Sequence, residues 1–445
     1  METNTKPVSI EDVPLNSFHQ RLTISCALGW LLVGYVVSII GVASIQLKQA
    51  LHLSESWSGI IGGSALIGMF MGGFIGGTLT DRFGRQKLYF VFPTVVIICS
   101  LLMFVVQNGA TLLILRIITG LTVGIEYTAA GSLLTEFLPK AYRGSRVSML
   151  SILWFGGAAL AYVVGYLILG THSPQAWRFI LASPAIIGAI TLLFRVGAPE
   201  SARWLISKNR PAEAEQTIKS VFGEEFSLRN LETGASSGKS LSLGEAIKKG
   251  YGKRIFFVMA FWASAVIPVF AVYAFVPELL ESLKLTGSMT VYGSVGVTAT
   301  FVVGCWGATK LIDYIGRRTM LLHSLFWSGI ALLALGIFPT APAWIILIFF
   351  CFYAVMTGGA QVLEFVYPNE LFPTEIRASA VGIGSSTSSF SSAIGTWLVP
   401  IALNTIGIGN TMLVAAGITF AGFAISYMLA PETRSMSLEQ ASSLS

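Results

Sequence analysis

Twelve stretches of this chain stay apolar for about 18 residues or more, the length a helix needs to cross the roughly 30 Å hydrocarbon core of a bilayer. They run near 22–46, 57–80, 88–107, 111–137, 146–169, 177–196, 254–279, 290–312, 320–338, 343–368, 378–403 and 409–430. Within lipid every backbone N–H and C=O must find its partner inside the chain, so single runs of this length predict helices. The expected fold is an all-α membrane protein with 12 transmembrane helices. Composition agrees: 54% of residues are hydrophobic and 11% charged, where a soluble chain carries roughly 25% charged residues. Glycines recur in the spans, and Pro93, Pro184, Pro268 and Pro400 lie inside them. Small residues let helices approach closely, and neighbouring helices satisfy the groups a proline frees.

Charge placement sets the expected topology. A net charge of +6 could suit nucleic acid, but the basic residues fall in short loops between spans, where topology accounts for them. No nucleic-acid partner is expected; the lipid bilayer is. Alternate loops hold Arg82, Arg85 and Lys87, then Lys140, Arg143 and Arg146, a cluster from Arg203 to Arg254, and later Lys310, Arg317, Arg318, Arg377 and Arg434. The loops on the other side hold only Lys48, Arg178 and Lys284. Positive loops stay inside, so a multi-pass protein of the cell inner or plasma membrane with both termini cytoplasmic is expected. The domains read as a tail over 1–21, a six-helix bundle over 22–196, a cytoplasmic linker with short helices over 197–253, a second bundle over 254–430 and a tail over 431–445. The tail before the first span is polar and does not form a signal peptide.

The two halves repeat. GGTLTDRFGRQK from Gly76 is echoed by ATKLIDYIGRRT from Ala308, which maps Asp81 onto Asp313. PESARW at Pro199 returns as PETRSM at Pro431, at the same offset. EFLPKAYRG at Glu136 returns as ELFPTEIRA at Glu370, at nearly that offset. Three pairs in one order at a near-constant spacing predict two pseudo-symmetric bundles related by an axis along the membrane normal. In such folds the site lies near mid-membrane between the halves.

The motifs GxxxDRxGR at Gly77–Arg85, RxxxG at Arg116–Gly120, PESARWL at Pro199 and PETRS at Pro431 resemble the major facilitator superfamily. PNELFPTEIRASAVG at Pro368 is similar to its sugar-porter and metabolite:proton symporter branches, among them bacterial relatives of organic cation/anion carriers and synaptic vesicle glycoproteins. The resemblance covers Thr23 to Glu439. It implies the superfamily's fold and rocker-switch alternating access, commonly coupled to protons; the leading expectation is a monomeric secondary transporter that takes up a small organic metabolite with protons. No cofactor is implied beyond the proton as coupling ion.

Charged residues inside the spans are the candidates for that coupling, because a charge at membrane depth is costly and survives only against a partner or in a wet cavity. Arg116 and Glu126 both lie in the fourth span. They are ten residues apart, about 15 Å along a helix and roughly 80° around it, so they do not pair with each other. Arg116 shares a stripe with Gly120 and Gly124, which places it against a close-packed neighbour. It is either a bonder of backbone carbonyls or, as the resemblance implies, a cavity-edge residue that affects coupling. Apolar surroundings disfavour a carboxylate's charge, so Glu126 is the first candidate for proton acceptor; the alternative is an ion pair with another helix. Related symporters have Asp-Tyr where this chain has Glu126–Tyr127. Glu364 is the second acid. Gln361 shares its helix face three residues earlier, and Phe365 follows it. Sugar porters typically place an Asp in the first helix, where only Val33 stands here. Proton coupling is thus assigned to Glu126, Glu364 and Arg116. Substrate contacts are assigned to Tyr35, Tyr127, Trp154, Tyr273, Gln361, Glu364, Phe365 and Trp397.

The loop charges predict a conformational gate made of Asp81, Arg82, Arg85, Glu136, Arg143, Asp313, Arg317, Glu370 and Arg377, and the resemblance implies that Glu200 and Glu432 complete it. Ion pairs among them can hold one state and break when the halves rock. Other chemistries find no support. No P-loop, HExxH, CxxC pair or nucleophile elbow is present, and Cys26, Cys99, Cys305 and Cys351 are scattered singly in apolar runs. Neither a metal site nor an enzyme is expected. The competing function is proton-coupled drug or metabolite efflux by antiport. Antiporters of the superfamily usually carry GPxxGG in the fifth helix, where this chain reads WFGGAALAYVVGY from Trp154 without proline.

Overall fold

A computed structural model describes residues 9–10, 12–230, 243–285, 288–434, 436 and 441. The first half is built from α1 (Ser17–Ala50), α2 (Glu55–Phe83), α3 (Arg85–Leu102), α4 (Gly109–Phe137), α5 (Lys140–Leu169), α6 (Ala176–Ala182) and α7 (Pro184–Arg195). A linker carries α8 (Ala202–Ser207), α9 (Pro211–Phe222) and α10 (Leu243–Ala246). The second half follows as α11 (Gly252–Ser282), α12 (Ser288–Ile315), α13 (Arg317–Ile337), α14 (Ala343–Leu371), α15 (Thr374–Thr405) and α16 (Gly407–Leu429).

The sixth span is two helices rather than one. Pro184 opens α7, and a proline's missing N–H is tolerated at the first turn of a helix. Eleven spans among the described residues are long and apolar enough to cross a membrane. The twelfth, α15, has 32 residues; Ser and Thr between Ser385 and Thr396 dilute its apolar character. Helices outrun the apolar windows at their polar ends. α1 starts at Ser17, ahead of Leu22, because Asn16 and His19 form a reciprocal cap there.

Packing repeats the symmetry of the sequence. In the first half α2 lies on α4, α1 on α5 and α3 on α7; in the second, α12 lies on α14, α11 on α15 and α13 on α16. The halves meet along α2 with α15, α5 with α12, and α1 with α11. The linker has a small core of its own. Ile10 packs on Ala202, Trp204, Leu205, Ala214 and Ile218, and its N–H donates to the Asn230 carbonyl at 3.1 Å. The N-terminal segment therefore clamps the linker onto the first half, a contact that a simple tether between halves would not predict.

Candidate functional site

Two acids of the spans end in different surroundings. Glu126 has no exposed surface. Its carboxylate oxygens accept from Arg195 Nη2 at 2.5 Å and Nη1 at 2.9 Å. Arg195 closes α7, is equally buried, and sits 3.8 Å from the centre of the Tyr89 ring. It also donates to the Tyr89 carbonyl. Gly29 of α1 faces this pair; a Cβ there would run into both side chains. The structure thus places Glu126 in the ion-paired arrangement, with no wet surface in this state. The sequence reading did not assign Arg195 a role. The signal was present: Arg195 ends an apolar run, one turn before the PESARW motif.

Glu364 differs. It is also buried, but among the described residues its recorded hydrogen bond is from the Gln361 amide, at 2.9 Å, and no cation pairs with it. It sits on α14 of the second half and acts electrostatically on Tyr127 on α4 of the first. Tyr127 lies close to Trp154 and meets the Trp30 ring edge-on at 4.7 Å. Trp154 on α5 then meets Phe270 and Tyr273 of α11, each at 5.7 Å and edge-on. Phe155 stacks on Phe301 at 6.0 Å, and Tyr273 lies 4.8 Å from the same Phe301. The hydroxyl of Tyr273 is buried with no hydrogen-bond partner among the described residues. An aromatic girdle is therefore drawn from both halves, and Glu364, with no counter-ion among the described residues, acts electrostatically on its Tyr127 member.

The structure brings together Tyr127, Trp154 and Tyr273, and pairs Gln361 with Glu364. It sets Tyr35 and Trp397 elsewhere. The Tyr35 hydroxyl bonds Ser183 at 2.7 Å inside the first half, because α1 presses there on the break between α6 and α7. Trp397 lies on the seam of α15 with α2, where its indole N–H reaches Ser56 Oγ at 3.3 Å. Arg116 donates from Nε to Ser64 Oγ at 3.1 Å and to the Ile61 carbonyl at 3.3 Å. It binds α2 across the close α2–α4 contact, and its Nη2 has no partner among the described residues. The side chains of Asp81, Arg143, Phe365 and Arg377 lie outside the described residues.

The remaining charges form one network in each half at the basic ends of the helices. Arg85 pairs with Glu136 at 3.4 Å, and Ser201 donates to Glu136. In the second half Arg317 pairs with Glu370 and with Asp313, each at 3.0 Å, and Thr433 donates to Glu370 at 2.5 Å. The acids of the PES and PET motifs cap helices. Glu200 accepts from Arg85 N at 2.9 Å and Gln86 N at 3.2 Å at the start of α3. Glu432 does the same for Arg317 N at 2.9 Å and Arg318 N at 3.1 Å at the start of α13. The residues before these helices, Gly84 and Gly316, have φ of 98° and 93° and offer no side chain, so the acid must come from elsewhere. A carboxylate at a helix N-terminus meets orphan N–H groups and the positive dipole end. Arg82 is exposed, with its guanidinium 5.4 Å from the Phe83 ring.

Among the described residues, each of these networks stays within one half. Hydrogen bonds between halves gather at the opposite, non-basic end: Tyr162 to the Tyr273 carbonyl at 2.7 Å, Tyr166 to Ser294 at 3.0 Å, Trp397 to Ser56 at 3.3 Å, Asn404 to Glu55 at 3.5 Å, and Ser44 to Glu278. Toward the basic side a cleft of ≈ 620 Å³ opens between the halves, lined by Phe70, Phe74, Met259, Ser386 and Phe390 among others. Among the described residues, the bonds between halves gather at one end and the cleft lies toward the other.

Known proteins align with this architecture along nearly its whole length. Residues 22–444 match the family described as Sugar (and other) transporter. The chain is 36% identical over 437 residues to the putative metabolite transport protein YaaU of Escherichia coli K12, covering 98% of this chain and 97% of that one. It is 28% identical over 461 residues to an arabinose-proton symporter of Bacillus subtilis, covering 98% of each. A partially occluded inward-open structure of the xylose transporter XylE from E. coli superposes with a TM-score of 0.82 at 21% identity, covering 95% of this chain and all of that one. At that identity the likeness speaks for the fold.

Proposed function

The chain belongs to the sugar (and other) transporter family of the major facilitator superfamily, a group of membrane transporters and not enzymes, and from that premise we propose that it takes up a small organic metabolite together with protons by alternating access. The observation that carries this reading is Glu364: a buried acid with no counter-ion among the described residues, which acts electrostatically on Tyr127 of the other half. Ionised carboxylate in a dry interior is costly, and a bound proton or a bound cation removes the cost. A group in that position exchanges a proton when one mouth or the other admits water. The solute lies against the edges of Trp154, Tyr127 and Tyr273, with the Tyr273 hydroxyl and the Gln361 amide as its polar partners. The relatives support the proton as driver, since one of them is an arabinose-proton symporter.

The basic loops set the basic end in the cytoplasm by the positive-inside rule, so the present conformer faces inward. Glu126 joins Glu364 in coupling only if its bond to Arg195 opens during the cycle. In this reading its standing role is to neutralise Arg195, and Arg116 ties α4 to α2.

The test uses purified protein in proteoliposomes with an imposed pH gradient. Solute-induced alkalinisation outside is expected for uptake with protons; acidification means antiport and reverses the assignment. Glu364→Gln is expected to lose accumulation against a gradient, by tenfold or more, while solute exchange at equal concentrations survives. Undiminished accumulation in that variant ends the assignment of Glu364.

A further inference from the structure

α11 contains two prolines, Pro268 and Pro277, but its backbone leaves helical values at Phe275, where φ is −137° and ψ 24°. That residue lies two before Pro277. Proline has no N–H, so the carbonyl four residues earlier loses its helix partner. For Pro277 that carbonyl belongs to Tyr273. In the structure it accepts a hydrogen bond from the Tyr162 hydroxyl at 2.7 Å. Tyr162 sits on α5 in the other half and is completely buried. Gly41 of α1 leaves the space for this meeting; a Cβ there would press on the Tyr162 hydroxyl and on the carbonyls of Tyr273 and Ala274. Three helices from two halves therefore converge on one stripped carbonyl at the non-basic mouth.

We propose that Tyr162 is a positioning residue for alternating access: it caps, from the first half, the backbone carbonyl that Pro277 strips of its partner in the second, and so biases the non-basic mouth toward closure. The proposal rests on the alternating-access reading above, not on its proton coupling. A buried carbonyl left unsatisfied costs more than the net gain from an ordinary hydrogen bond. While the mouth is closed, Tyr162 supplies that bond; when the halves part, water supplies it. Removing the hydroxyl penalises the closed mouth alone. Tyr166 is a built-in comparison. Its bond to Ser294 leaves the same α5 helix and also crosses between the halves, to α12, but Ser294 also donates to the Thr290 carbonyl at 2.7 Å, so losing it orphans no backbone group.

The experiment reads opening without solute or pH gradient. Ser44, on α1 near the same mouth, is buried; Ser44→Cys reports opening through its rate of reaction with a maleimide in nanodiscs. Cys26, Cys99 and Cys305 are buried, and the half-buried Cys351 is replaced by serine. Tyr162→Phe is expected to raise the labelling rate about tenfold, equivalent to about 1.4 kcal/mol. Tyr166→Phe is expected to change it less than threefold. In a Pro277→Ala background, where residue 277 regains an N–H for the Tyr273 carbonyl, Tyr162→Phe is expected to change the rate less than twofold. An unchanged rate in Tyr162→Phe, or equal effects of the two tyrosine changes, overturns the proposal, as does an undiminished effect in the Pro277→Ala background. Because no transport is measured, loss of the proton-coupling reading in liposomes leaves this result readable.

Discussion

Arg195 and Glu126 are each fully buried, and each is stable only because of the other. Breaking a buried pair from one side leaves an uncompensated charge and typically costs about 3–5 kcal/mol. Glu126→Gln alone should therefore lower the unfolding temperature in detergent substantially, and Arg195→Gln added to it should recover much of the loss. If the double variant is no more stable than the single one, the pair is not what keeps these residues tolerable. A transport defect in Glu126→Gln has two readings, lost coupling or lost packing, and the double variant separates them: restored uphill uptake assigns Glu126 to structure. Glu364 has no such partner among the described residues, so its amide variant tests chemistry with little change in packing. Sequence spacing made both acids visible but could not distinguish them. The difference lies in Arg195, which stands three helices further along the chain than Glu126.

At the scale of elements, close approach is written in glycine. α2 and α4 meet through Gly68 and Gly72 on one side and Gly120 and Gly124 on the other, each with the partner's backbone where a Cβ would stand. Gly120→Val is expected to overpack this contact against the Ala65 carbonyl, at about 1–3 kcal/mol, read as a fall in unfolding temperature and in yield of folded protein. It should also move Arg116 off Ser64 and the Ile61 carbonyl. Normal stability would mean the helices part there without penalty. The kink of α11 follows a different rule. Both of its prolines were available in the sequence, and only the one whose stripped carbonyl finds a donor across the interface carries the break. The linker helices repeat the lesson, since their apolar faces are matched by Ile10 from the opposite end of that half's sequence.

At the scale of the whole molecule, the two halves do the same thing twice. Arg85, Glu136, Glu200 and Ser201 have the geometry of Arg317, Glu370, Glu432 and Thr433, and the offsets between them along the chain are those of the repeated motifs. We expect Glu136→Gln and Glu370→Gln each to slow solute exchange several-fold with little change in solute affinity, because each network braces a half and touches no solute. A large change in affinity with normal turnover would assign these acids to the site instead. The number of spans, the repeat, the charge asymmetry between loops and the family were legible in the chain alone. They depend on length, hydropathy and local motifs, which the bilayer reads one segment at a time. The partner of each buried charge, the position of the bend in α11, and the separation of Tyr35 and Trp397 from the central aromatic girdle were settled only by tertiary structure. Those depend on which faces of distant helices meet, and a hydrogen bond or an ion pair is decided within about an ångström of distance that no spacing along one strand of sequence encodes.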